Sequence, residues 1–327
     1  MKYRTLGKTG LKVSEISLGT WQVGGKWGSE FNEKSAEEII NTAIDQGINF
    51  IDTADVYDNG LSEKVVGKVV RSRAEEVYIA TKCGRQLQPH TSAAYQVAIL
   101  KNFVENSLSN LGVERIDLIQ LHCPPTEVYY RPEIFELFDQ LTKEGKIRNY
   151  GVSVEKVEEA LKAIEYPGVS TVQIIFNMFR QRPSELFFRE AKAKNVGIIA
   201  RVPLASGLLT GKFGKDSTFS KEDHRFFNRE GAAFDKGETF SGIDFDLGLK
   251  AVHELKEIFK DQSLVHKALQ WILAFDEVSC IIPGASNVSQ LQSNIETFSA
   301  TPFSKSDMEK VNTIYKEHIK NQVHHLW

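Results

Sequence analysis

The chain has 327 residues, 41% hydrophobic and 25% charged, with 23 glycines and 9 prolines. That composition is ordinary for a globular protein and excludes extended disorder, collagen-like repeats and low-complexity architecture. A net charge of −3 speaks against nucleic acid or an anionic membrane surface as a partner.

Residues 2–14 read as a β-hairpin turning at Lys8-Thr9-Gly10. Apolar, β-branched runs then recur at 15–20, 49–54, 77–82, 117–122, 147–153, 171–176, 197–202 and 278–284. Most are nearly continuous apolar rather than alternating, as in strands buried on both faces of a parallel sheet. Amphipathic helical patterns separate them, over 34–46, 62–71, 93–111, 133–143, 154–164, 184–194 and 263–275. Strand then helix, repeated about eight times, predicts an α/β fold: a (β/α)8 TIM barrel. The competing open, doubly wound sheet lacks its G-x-G-x-x-G turn after the first strand. The hairpin is expected at the closed bottom of the barrel. Residues 205–247, after the seventh strand, predict a long Gly- and Phe-rich loop, either a functional lid or flexible. No linker divides the chain, so residues 1–327 are expected to form one barrel domain.

The opening residues lack the apolar core of a secretory signal, and no run reaches the ~18 apolar residues of a membrane span. Cys83, Cys123 and Cys280 are scattered and odd in number, which points to a reducing, cytoplasmic setting. Cys83 and Cys123 each follow a reactive strand-end residue. Strand alternation turns them away from it, so they read as packing residues. The eight histidines show no metal-ligand spacing.

Barrel enzymes carry reactive groups at the C-terminal ends of strands. Here Asp52 ends the second strand, with Asp55 and Tyr57 in its loop. Lys82 ends the third and His122 the fourth. Each has a structural reading of its own: a cap, a packing phenol, a snorkelling lysine, a satisfied histidine. Their convergence on consecutive strands favours proton delivery. A nearby ammonium lowers a phenol's pKa, and an acid aimed at a carbonyl oxygen complements a hydride source.

Four segments carry a family resemblance: FIDTADVYDNGLSEKVVGK (50–68), LIQLHCPP (118–125), RVPLASGLLTGKF (201–213) and IIPGASNVSQLQSNI (281–295). Over nearly its whole length the sequence resembles the aldo-keto reductases. It resembles most the branch with bacterial stress and sugar-related reductases and the β subunits of voltage-gated potassium channels. The resemblance implies a tetrad of Asp52, Tyr57, Lys82 and His122. Tyr57 would be the general acid in reduction, Lys82 would tune it, Asp52 would pair with Lys82, and His122 would orient the carbonyl.

By the same resemblance, Ser153 and Gln173 would hold a nicotinamide amide, with Asn177 close by. The loop of Pro203, Leu204, Ala205, Ser206 and Gly207 would wrap the pyrophosphate, with backbone N–H groups as donors and Gly207 permitting close approach, and Lys212 would reach a phosphate. Gly284, Ser286, Gln290 and Asn294 would take the adenine end. The expected cofactor is NADP(H), with NAD(H) as the alternative. Arg225 resembles a loop arginine that meets a 2′-phosphate, and Arg229 is a second candidate. Gly284 and Gln290 stand where basic residues often do so.

Three positions depart from the family pattern. Asp58 replaces a usual glycine and Val154 a common asparagine. Arg201 stands where many members stack an aromatic on the nicotinamide, so its planar guanidinium is expected to stack there. The implied substrate is a small aldehyde or ketone, sugar-derived aldehydes included. Trp21 is expected against it, with Trp27, Tyr129 and Phe179 as further aromatic candidates. Two other functions compete: a Schiff-base lyase through Lys82, and a redox-sensing module like the channel subunits. His122 speaks against the second, because those relatives carry another residue there.

Overall fold

The N-terminal hairpin forms as expected: β1 (Tyr3–Thr5) pairs antiparallel with β2 (Lys12–Ser14). Eight parallel strands follow: β3 (Leu18–Gly19), β4 (Phe50–Asp52), β5 (Tyr78–Cys83), β6 (Ile116–His122), β7 (Ile147–Ser153), β8 (Val169–Ile175), β9 (Gly197–Arg201) and β10 (Val278–Ile281). This computed structural model describes residues 1–25 and 30–327. Trp27, an expected pocket aromatic, lies outside the described residues.

Each barrel strand pairs with the next in chain order. Ser17 N donates to Ile281 O at 2.9 Å and Ile281 N to Glu15 O at 2.9 Å, which joins the first strand to the last and closes the cylinder. β5 and β8 are buried along their whole length. That accounts for their mostly apolar sequences, since the barrel core covers one face and helices the other.

The hairpin plugs the bottom. Leu6, Leu11 and Val13 pack with Phe50, Tyr78, Leu118, Ile199 and Cys280 in a cluster separate from the strand–helix core. Gly7 sits so close to β9 that a Cβ there would fall 2.1 Å from Gly197 N.

The seven expected helices form, most of them a little shorter than their patterns. The largest trims are Val97–Leu111 for the pattern at 93–111, Val157–Ala163 for that at 154–164 and Phe187–Ala193 for that at 184–194. The excursion after β9 is more ordered than a long loop. It holds short helical turns at Ala205–Thr210, His224–Phe227, Lys236–Glu238 and Phe240–Gly242. It also ends earlier than expected, because Asp244 caps the helix Phe245–Ile258. Among the described residues no helix is long and apolar enough to cross a membrane.

Candidate active site

The barrel's register gathers the strand-end residues at one mouth. Lys82 on β5 lies opposite Gln120 on β6, His122 opposite Ser153 on β7, and Ser153 opposite Gln173 on β8. The motif around Asp52 divides into scaffold and site. Thr53 Oγ1 meets Ser62 Oγ at 2.9 Å, and Ser62 Oγ meets Thr20 Oγ1 at 2.8 Å. Glu63 accepts from Thr81 Oγ1 and Asn110 Nδ2. Those residues pin the helix Leu61–Ser72, while Asp52 turns into the barrel. Asp58 has a left-handed φ of 47°, a conformation that aspartate tolerates and glycine takes freely. This gives the usual glycine at that position a backbone reason.

Lys82 and Asp52 form a buried ion pair, Nζ to Oδ1 at 2.5 Å. Lys82 also donates to Thr53 O at 2.8 Å and reaches the Tyr57 hydroxyl at 3.5 Å. Burial works against the ammonium, but Asp52 and Tyr57 outweigh it and hold its pKa above the ordinary lysine value. Tyr57 itself moves upward, contrary to the expected lowering. Burial is the largest cause; Lys82 opposes it, and Asp52 and Glu238 add to it. The phenol therefore keeps its proton at neutral pH.

The Tyr57 and His122 rings meet edge to face at 6.0 Å, and Trp21 stacks on Tyr57 at 6.4 Å. His122 is neutral at physiological pH. Burial, then Arg85, Lys82 and Arg201, push its pKa well below the usual histidine value. Its Nδ1 is buried without a hydrogen-bond partner among the described residues.

These groups face a cavity of about 790 Å³ that runs from Trp21, Tyr57 and His122 to Lys212, Arg225, Gln290 and Asn294. Asp52, Ser153, Gln173, Arg201, Pro203, Leu204, Ser206, Gly207 and Gly284 also line it. Lys82, Ala205 and Ser286 do not. Lys82 stands behind Tyr57, Ala205 is buried, and Ser286 bonds to Gln290 Oε1 at 2.9 Å from its backbone N–H.

Several expected roles are modified by the geometry. Gln173 spends its amide N–H on Asp52 Oδ2, at 2.8 Å. Arg201 is locked into ion pairs, with Nη2 at 2.8 Å from Glu155 and Nη1 at 3.7 Å from Glu238. These pairs fix the orientation of its guanidinium at the cavity wall. The N–H groups of Ala205 and Gly207 donate within the loop, to Val202 O at 3.1 Å and Leu204 O at 2.9 Å. Asn177 is structural: it bridges Val202 O and Ser241 Oγ. Tyr129 and Phe179 are core residues off the cavity. Arg229 also stays off it and lies 5.0 Å over Phe245. Arg225 lines the cavity but is clasped by Asp223 through Nε at 2.9 Å and Nη2 at 2.5 Å.

Sequence reasoning missed a charge network at the inner wall. Arg85 pairs with Glu238 at 2.9 Å, and Arg201 joins Glu238 to Glu155. The His224 ring lies tilted against Trp21, with centroids 5.1 Å apart. Only the position of Arg85 just past β5 could have flagged any of these. Cys123, Glu155 and Glu238 bring ligand atoms within 4.8 Å of one another. Arg201 occupies that cluster, touching Cys123 Sγ at 3.5 Å. Burial pushes the Cys83 and Cys123 thiols up, in keeping with packing roles.

The barrel and its cleft are those of an oxidoreductase acting on carbonyl compounds. The chain belongs to the Aldo/keto reductase family, whose model matches residues 15–316. It is 32% identical to the aldo-keto reductase YhdN of Bacillus subtilis (strain 168), over 99% of this chain and 96% of that one. It is 28% identical to a probable voltage-gated potassium channel subunit beta of Arabidopsis thaliana, over 92% of each. The holo form of aldo-keto reductase AKR11C1 from Bacillus halodurans superposes with a TM-score of 0.76 at 27% identity, covering 97% of this chain and 99% of that one.

Proposed function

We propose that this protein is an NADPH-dependent reductase of small aldehydes or ketones, sugar-derived aldehydes included. The observation that carries the reading is the Tyr57 hydroxyl, which faces the cavity with Lys82 Nζ 3.5 Å behind it. Tyr57 gives its proton to the carbonyl oxygen as that oxygen gains charge. The Lys82 ammonium stabilises the phenolate left behind, and Asp52 fixes the ammonium in place. Neutral His122 orients the carbonyl through its imidazole. When bound, the nicotinamide cofactor supplies the hydride.

The cavity suits a dinucleotide. Its volume falls in the range of ligand sites, and its outer part presents the Lys212 and Arg225 cations to phosphates. Gly207 has φ +98°, and a Cβ there would lie 3.0 Å from Phe213, so only glycine leaves this stretch of wall open. Ser153 and the Gln173 carbonyl remain for the carboxamide. A Schiff base at Lys82 is disfavoured, because Asp52 keeps that nitrogen protonated and without a lone pair.

The test is oxidation of NADPH, and of NADH in parallel, against a panel of small aldehydes and ketones. Turnover that is faster with NADPH is expected. Tight NADPH binding with no turnover on any carbonyl supports the redox-sensing role instead. Failure to bind either nucleotide overturns both.

A further inference from the structure

Trp327 is only 6% exposed, although it lies far in sequence from every cavity residue. Its indole Nε1 donates to Asp235 Oδ1 at 2.8 Å, and the Arg180 guanidinium lies 4.0 Å over its ring. Arg182 Nη1 donates to its main-chain carbonyl at 2.8 Å. Two glycines admit the ring. A Cβ at Gly237 would fall 2.9 Å from it, and one at Gly242 would fall 2.4 Å from it. Gly237 has no left-handed φ to explain a glycine; close approach alone requires one.

The segment under the indole, 235–242, reaches the cavity through Glu238. Ser206 Oγ donates to Glu238 O at 3.0 Å and accepts from Phe240 N at 3.1 Å. The Glu238 carboxylate meets Arg85 and Arg201. Ser206 and Glu238 both line the cavity. A continuous set of contacts therefore runs from Trp327 through 235–242 to the loop after β9.

We propose that Trp327 is a positioning residue for the cofactor cradle: by clamping 235–242 it holds Ser206 and Glu238 in place, and so sets how long a nicotinamide dinucleotide stays bound. The proposal rests on the dinucleotide reading above. Trp327 touches no reacting atom, so its loss changes residence time rather than the chemical step.

The experiment compares Trp327→Ala and Trp327→Phe with the unaltered protein. NADPH release is followed by stopped-flow fluorescence, and backbone hydrogen exchange is measured without cofactor. In Trp327→Ala, release is about tenfold faster. KM for NADPH rises, and kcat at saturating NADPH is unchanged or higher. Exchange increases over 205–210 and 235–242 but not in the barrel strands. Trp327→Phe keeps a ring over Arg180 and loses the bond to Asp235, so it falls between. Unchanged release and exchange in both variants overturn the proposal, as does a rise in exchange throughout the barrel with a fall in kcat. If Trp327→Ala does not fold, Trp327→Phe and Asp235→Ala decide by the same readouts. Absence of NADPH and NADH binding by the unaltered protein overturns the dinucleotide reading itself. Binding that the variants leave untouched overturns only the role of Trp327.

Discussion

Gln173 on β8 reaches across the barrel to Asp52 on β4, donating from Nε2 to Oδ2 at 2.8 Å. Gln120 approaches the same oxygen at 3.4 Å. Asp52 thus spends one oxygen on Lys82 and the other on these two amides, which fixes the carboxylate's rotation. Gln173→Leu should cost about 1.5–3 kcal/mol, the usual range for a hydrogen bond to a charged group. Denaturant titration measures it. The same variant should lower kcat, because Lys82 loses its fixed partner. An effect on the cofactor's KM alone would leave Gln173 only its carboxamide role.

Removing the Tyr57 hydroxyl should remove the proton donor without disturbing the cradle. Tyr57→Phe is expected to reduce kcat by about 10²–10⁴-fold, the range of general acid catalysis, with NADPH affinity unchanged. Single-turnover kinetics and fluorescence titration separate the two.

Breaking the Lys82–Asp52 pair from one side should be costly. Lys82→Met leaves the Asp52 carboxylate buried without its counter-ion, with an expected loss of about 3–5 kcal/mol. Adding Asp52→Asn should recover part of it. Chemical denaturation of both single variants and the double variant gives the coupling.

Acid should destabilise the protein through its buried imidazoles. Burial, more than the neighbouring Arg225, lowers the His224 pKa to about 4, and Asp223 only partly offsets this. As pH falls below the ordinary histidine value near 6.5, the unfolded chain takes up a proton that folded His224 refuses. Stability is therefore lost between about pH 6.5 and 4, with no further loss from this group below that. The shift is worth about 3 kcal/mol. His224→Gln should flatten this limb of stability against pH, and an unchanged slope would remove His224 as its source.

Arg225 is the cation that the dinucleotide reading assigns to a 2′-phosphate, and Asp223 holds it at 2.5 Å. Arg225→Leu should raise KM for NADPH about tenfold or more while leaving that for NADH nearly unchanged, since charge-assisted contacts to phosphate are the strong ones. Equal losses with both nucleotides would place the guanidinium away from the distinguishing phosphate.

The strand–helix rhythm was legible because its signals are local. Short, largely apolar runs such as 197–202 and helix stops such as Gly47 lie within a few residues of what they specify. The convergence of Asp52, Lys82 and His122 was legible for a related reason: in a parallel barrel, consecutive strands bring their ends together. Beyond the Asp52–Lys82 pair, tertiary structure alone decided the partners. Gln173 finds Asp52 across 121 positions of chain, and Glu238 meets Arg85 and Arg201 from a segment with no regular pattern. It also reversed the expected lowering of the Tyr57 pKa. A side chain's type and spacing state what it can bond. Burial and the charges that surround it arise only when distant segments close on one another, and those settle protonation and pairing.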